Sequence, residues 1–186
     1  MDYKRTAKEL MEILDEFFTS KADLLEEVLT QIVNRLRGGW KIIVFGNGGS
    51  AAQAQHFAAE MVNKFLKERR AYPALSLTTD TSVLTSIAND SSFTQVFSRQ
   101  IEALGMEEDI ALGISTSGNS LNVIEGLKKA KEIKMLTIAL TGKGGGDLAS
   151  LPDYLLDVPS SATPRVQEVH LLFLHLLAEE IERRMT

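Results

Sequence analysis

Hydrophobic residues recur at helical spacing through the first fifth of the chain. Leu10, Ile13, Leu14, Phe17 and Phe18 follow this period, and so do Leu24, Leu25, Val28, Leu29, Ile32, Val33 and Leu36. The pattern predicts helix over residues 2–37, stopped by Gly38-Gly39. Beyond it, short apolar runs alternate with helical stretches. WKIIVFG (40–46), PALSLT (73–78), DIALGI (109–114), MLTIAL (135–140) and DYLLDV (153–158) read as strands. They are too uniformly apolar to alternate, as parallel strands covered on both faces are. Helices are expected at about 49–67, 80–88, 92–104 and 119–132. A last helix is expected over about 164–185, with Thr163 as its N-cap and Pro164 at its first helical position.

Alternating strands and helices predict a three-layer α/β fold, a five-stranded parallel sheet flanked by helices with right-handed crossovers. No linker, repeat or low-complexity segment divides the chain. One domain over residues 1–186 is expected, with an N-terminal helical segment (1–37) and an α/β core (38–186). In such folds ligands bind beyond the carboxyl ends of the strands.

Composition narrows the chemistry. A net charge of −5 argues against a general nucleic-acid surface. The short basic run Lys67-Glu68-Arg69-Arg70 reads as a solvated helix end. There is no cysteine, which removes disulfides and thiolate chemistry. The charged N-terminus MDYKRTAKELMEILDEF lacks the apolar stretch of a signal peptide. No run reaches the ~18 apolar residues that a membrane span needs, so a cytoplasmic protein is expected.

Two strand ends carry candidate ligand loops. The first strand ends in Gly46-Asn47-Gly48-Gly49-Ser50, where glycines permit a tight turn and close approach to a ligand. The third ends in STSGNS, residues 115–120, where hydroxyls and the amides of a helix N-terminus can form a neutral phosphate cradle. No P-loop lysine follows, which argues against a nucleoside triphosphate. GNGGSA also fits the loose dinucleotide pattern G-x-G-x-x-A. The acidic partner expected about 20 residues on is lacking, because Asp80 comes 34 residues after Gly46.

His56 and Glu60 stand four apart and share a face of the helix after the glycine loop. That spacing suits two metal ligands and equally an ordinary surface pair. The last helix carries Gln167, His170 and His175. At 100° per residue, His175 lies about 80° from Gln167 and His170 about 60° to the other side. Geometry leaves the choice open. The apolar stretch LLFLHLLA around His175 predicts a buried helix there, where an imidazole needs a partner. Asn89-Asp90 closes the helix after strand two and reads either as a turn or as a pair of hydroxyl-binding side chains.

GNGGSAAQAQHFAAE, TDTSVLTSIAND, FSRQIEALG, GISTSGNS, TIALTGKGGG and RVQEVHLLFLH follow one another in an order that resembles the phosphoheptose isomerases of the sugar isomerase (SIS) domain superfamily. The resemblance spans nearly the whole chain. It implies interconversion of sedoheptulose 7-phosphate and D-glycero-D-manno-heptose 7-phosphate, a homotetramer with sites at subunit interfaces, the N-terminal helices in the assembly, and one zinc ion per subunit. The implied metal ligands are His56, Glu60, Gln167 and His175, which leaves His170 a structural role. The implied substrate contacts are Asn47, Gly48, Gly49, Glu60, Asn89, Asp90, Ser115, Thr116, Ser117, Ser120 and Gln167. Glu60 and His175 are the implied catalytic residues. Two positions depart from the family pattern, Lys64 where an arginine is common and Pro164 where some members carry an aspartate. Related replication-initiator-associating proteins share the fold without the catalytic pair and supply the alternative, a binding protein. A sugar-phosphate-sensing domain is a further alternative.

Overall fold

The computed structural model describes residues 2–186. Helix α1 (Tyr3–Ser20) and helix α2 (Ala22–Arg37) replace the single helix that the hydrophobic period predicts. They part at Lys21, whose ammonium turns aside to Asp157 Oδ1 at 2.6 Å. Neither glycine nor proline marks this break, so the local pattern carries no sign of it.

Five parallel strands follow: β1 (Ile42–Gly46), β2 (Ala74–Ser76), β3 (Ile110–Ser115), β4 (Leu136–Thr141) and β5 (Tyr154–Asp157). Their order across the sheet is β2-β1-β3-β4-β5, each within a few residues of its predicted position. Between them run α3 (Gly49–Val62), α4 (Thr81–Asp90), α5 (Ser98–Leu104) and α6 (Leu121–Glu132), and α7 (Thr163–Met185) closes the chain. The expected helix at 92–104 is a 3₁₀ turn, Phe93–Gln95, followed by α5. Asn89 and Asp90 belong to the last turn of α4 and not to a turn beyond it. Helix α7 begins one residue before the expected start: Thr163 is its first residue and Ala162 the N-cap, without a side-chain bond.

The pleat separates two apolar layers. Ile42, Val44, Ile110, Leu112 and Ile114 face a cluster built with α1, α2, α3 and α7, including Phe17, Phe57 and Phe173. Ile43, Phe45 and Ala111 face a second cluster with Phe97, Ile101, Val123 and Leu127 from the opposite helices. Burying each such side chain contributes roughly 1.5–3 kcal/mol. The first two helices therefore belong to the same core as α7. No described helix is long and apolar enough to cross a membrane.

Helix α3 ends at Val62, five residues before its predicted end. The run at 67–70 is no solvated helix terminus. The side chains of Arg69 and Glu182 form an ion pair at 2.9 Å, each only 2% exposed. A buried carboxylate on α7 thus captures the segment that would have prolonged α3.

Candidate active site

The chain leaves β1 toward β2 at one edge and β3 toward β4 on the other side. Ligand crevices form at such a reversal, beyond the carboxyl ends of the two central strands. The glycine loop and the hydroxyl loop both lie there. The side-chain amides of Asn47 and Asn122 join them reciprocally, each Nδ2 donating to the other's Oδ1 at 2.8 Å. Asn122 is 3% exposed and Asn47 half-buried, so the bridge is partly shielded from water. Sequence reasoning missed Asn122, although it sits two residues past STSGNS. A single asparagine in the first turn of a helix carries no pattern of its own.

Within the hydroxyl loop, Ser115 Oγ donates to Ser120 Oγ at 3.0 Å and Ser117 Oγ accepts from the Asn119 amide at 3.1 Å. The amides of Val123 and Ile124 return to the Ser120 carbonyl, and Thr116 O accepts from Gly142 N at 3.0 Å. Gly118 has φ +70° and packs on Gly145, where a Cβ would overlap the Gly145 carbonyl. Glycine is required there. The loop after β4 thus buttresses the cradle while the first amides of α6 are free by helix geometry.

Helices α3 and α7 run side by side from this crevice. At its start, the Gln167 amide lies against Gly49, so closely that any Cβ at Gly49 would overlap it. Gln53 Nε2 donates to the Gln167 carbonyl at 2.7 Å. Farther along, His56 Nε2 meets His175 Nε2 at 2.8 Å, one donating and the other accepting. His56 Nε2 also stands 3.5 Å from Glu60 Oε1. The His56 side chain is 44% exposed and that of Glu60 24%. Phe65 stacks on His175, with ring centroids 5.8 Å apart and planes at 24°.

Of the predicted residues, the structure brings together His56, Glu60 and His175 on one helix pair, and Asn47, Gly48, Gly49, Ser115, Thr116, Ser117 and Ser120 around one crevice. Gln167 lies against the glycine loop. Asn89 and Asp90 are exposed and bond to each other at 2.7 Å. Lys64 is exposed and pairs with Glu68. The expectation that His175 is the buried histidine is corrected: it is only partly buried, because it faces His56 across the helix pair. His170 is the buried one, 1% exposed, with its ring nitrogen Nε2 donating to Thr141 O at 3.0 Å. Burial pushes its pKa down to about 4, against the raising effect of that hydrogen bond.

His56 Nε2 thus contacts both His175, by a hydrogen bond, and the Glu60 carboxylate, at 3.5 Å. Among the described residues no three His, Cys, Asp or Glu side chains stand around a common point in metal-holding geometry. The donor types, two imidazole nitrogens and a carboxylate oxygen, are those that zinc takes.

The SIS domain family profile matches residues 4–142. A phosphoheptose isomerase of Desulfovibrio desulfuricans is 53% identical over 173 residues, 93% of this chain and 82% of that protein. That of Aquifex aeolicus is 49% identical over 179 residues, 96% of this chain and 94% of that protein. The structure of phosphoheptose isomerase GmhA from Neisseria gonorrhoeae superposes with a TM-score of 0.90 at 43% identity, covering 98% of this chain and all of that one. With overlap nearly end to end and the same five-stranded sheet, the chain belongs to the phosphoheptose isomerase family of SIS-domain proteins.

Proposed function

We propose that this protein interconverts sedoheptulose 7-phosphate and D-glycero-D-manno-heptose 7-phosphate, as the first step toward a nucleotide-activated heptose in the cytoplasm. The contact of His56 and Glu60, on the helix that rises from the glycine loop, with His175 on the adjacent α7 carries this reading. An aldose–ketose isomerisation moves a proton between C1 and C2 through an enediol, and a second group must handle protons on the neighbouring oxygens. Neither task needs a redox cofactor. Glu60 is assigned the C1/C2 shuttle, and His175 the ring-opening and hydroxyl protons.

The crevice supplies binding. Ser115, Thr116, Ser117 and Ser120, with the amides at the start of α6, hold the phosphate by neutral donors. Asn47, Gly48, Gly49, Asn89, Asp90 and Gln167 contact the sugar hydroxyls. Zinc, when bound by His56, Glu60, Gln167 and His175, supplies Lewis acidity toward the substrate oxygens. The working form is a homotetramer. His56 lies about 10 Å along α3 from Gly49 at 1.5 Å rise per residue, on a solvent-open flank that a neighbouring subunit would close. An apolar groove of about 320 Å³ between α1, α2 and α7, lined by Phe18, Leu25, Phe173 and Leu176, offers a surface for that neighbour.

Incubation of the purified, metal-loaded protein with sedoheptulose 7-phosphate tests the proposal. It should form an aldoheptose phosphate without added nucleotide. Glu60→Gln and His175→Gln should each lower kcat by about 10²–10⁴-fold, the usual weight of a general acid or base. Absence of turnover by the folded wild-type protein would instead favour a binding role.

A further inference from the structure

The segment after α3 is bound in an unusual way. The amides of Phe65, Leu66 and Lys67 all point at the Glu182 carboxylate, at 3.1, 2.9 and 2.9 Å. Successive amides of this kind make an anion-binding concavity, and here the anion is the chain's own side chain. Arg69 Nε donates to the same carboxylate at 2.9 Å. Burial alone would raise the Glu182 pKa, but these hydrogen bonds outweigh it and hold the carboxyl below the usual range.

The guanidinium also reaches back to α3. Its Nη2 donates to Glu60 O at 2.7 Å and its Nη1 to Met61 O at 3.0 Å. It lies 4.1 Å above the ring of Tyr72, a residue 1% exposed. Arg69 thus caps the last turn of α3 at the residue that carries the shuttle carboxylate.

Glu182 follows His175 on α7 by seven residues, two helical turns, and so shares its face. By binding Phe65 N, it sets the aromatic ring that stacks on His175. The imidazole is then held by Phe65 stacked on its face and by His56 at its Nε2 edge, with ring centroids 5.0 Å apart. One arm of the ion pair ends on the Glu60 backbone, the other behind the His175 ring.

We propose that Arg69 and Glu182, with Phe65, are positioning residues that fix Glu60 and His175 relative to each other across the α3–α7 pair. The proposal rests on the isomerase reading of those two residues. A buried ion pair contributes little net stability over an apolar isostere. Its placement accounts better for an orienting role: rigid support holds a catalytic group within the small error that proton transfer tolerates.

The test uses the full chain with Glu182→Gln, Arg69→Lys and Phe65→Leu, at one pH and equal metal content. Two quantities are read: kcat and KM for sedoheptulose 7-phosphate, and the imidazole NMR signals of His175, with the buried His170 as internal reference. A cooperative thermal transition identifies the folded variants. In these, the His175 signals should shift or broaden and those of His170 should not. The value of kcat should fall by about ten- to a hundred-fold, with KM within about threefold because the loops are untouched. Arg69→Lys should restore part of kcat relative to Arg69→Ala, since it keeps the charge but not the planar fork. Phe65→Leu leaves the ion pair in place and so decides the question if Glu182→Gln fails to fold. Wild-type His175 signals in folded Phe65→Leu would overturn the proposal. A wild-type protein without turnover would sink the isomerase reading alone, and the His175 signals would still decide whether this clamp orients the ring.

Discussion

His56 and His175 meet Nε2 to Nε2 at 2.8 Å although 119 residues separate them in the chain. The contact follows from the register of two adjacent helices. Gln167 of α7 lies against Gly49 at the start of α3, seven residues before His56. His175 comes eight residues after Gln167. Equal rise along both helices brings the imidazoles level.

That pairing sets the first prediction. Zinc should be near-stoichiometric in protein purified without chelator, and His56→Ala should lose it. Gln167→Ala should lose less, because an amide oxygen is a weak zinc ligand, yet should lose activity through its contact with the sugar. Chelation should lower turnover and leave the thermal transition largely intact, since both apolar layers are built without the ion. Metal analysis and calorimetry on the three proteins check this. Equal zinc in wild type and His56→Ala would remove His56 from the ligand set.

A second prediction concerns the neutral cradle. Ser115 and Ser120 are hydrogen-bonded to each other and stand at the mouth of α6. Ser115→Ala or Ser120→Ala should weaken substrate binding by roughly 1.5–3 kcal/mol, about ten- to a hundred-fold in KM, the weight of one charge-assisted hydrogen bond. Steady-state kinetics with the phosphorylated sugar measures it. An unchanged KM in both variants would place the phosphate elsewhere.

How far the sequence reveals this architecture depends on the range of the interaction. Strands such as IIVFG and LTIALT announce themselves by continuous apolar runs, and both candidate loops follow from glycine and hydroxyl residues just past strand ends. The break at Lys21 and the early end of α3 do not, because each is decided by a distant carboxylate, Asp157 or Glu182. The basic run 67–70 looks like a solvated helix end for the same reason: nothing nearby shows that Arg69 will be buried. The apolar surroundings of His175 mislead in the opposite sense. They report a largely buried helix, while His175 itself stays partly exposed and meets the His56 imidazole of α3.

The third prediction tests a residue that only the fold reveals. Asn122→Ala should leave the Asn47 amide without its partner across the crevice. The loss of two part-buried hydrogen bonds should cost about 1–3 kcal/mol of stability, read by denaturant unfolding. It should also raise KM, because the bridge fixes the spacing between the two loops. Asn122→Asp keeps an acceptor for Asn47 Nδ2 but removes the return donor, so it should fall between wild type and Asn122→Ala. A variant with wild-type KM would show that the loops hold their spacing without the bridge.

The fourth prediction is a pH dependence with a definite sign. His170 is sealed against the end of β4, and burial lowers its pKa from 6.5 to about 4. In the unfolded chain the imidazole takes up a proton as pH falls through 6.5; in the folded protein it does not until about 4. Within that window the unfolded state binds more protons, so stability falls with decreasing pH. The loss should accumulate to about 3 kcal/mol near pH 4, at roughly 1.4 kcal/mol per unit. The lowered carboxylates Asp153, Asp157 and Glu182 act in the same direction but lower down, losing their contribution only as pH drops below the ordinary carboxylate range. His170→Gln separates the two effects. Its amide nitrogen can still donate to Thr141 O, and it takes up no proton. Unfolding free energies of wild type and variant should run parallel above pH 7 and diverge between 6.5 and 4, with the variant flatter. Curves that stay parallel down to pH 4 would mean that His170 is protonated in the folded state and that its Nδ1, which has no hydrogen-bond partner among the described residues, finds one when charged.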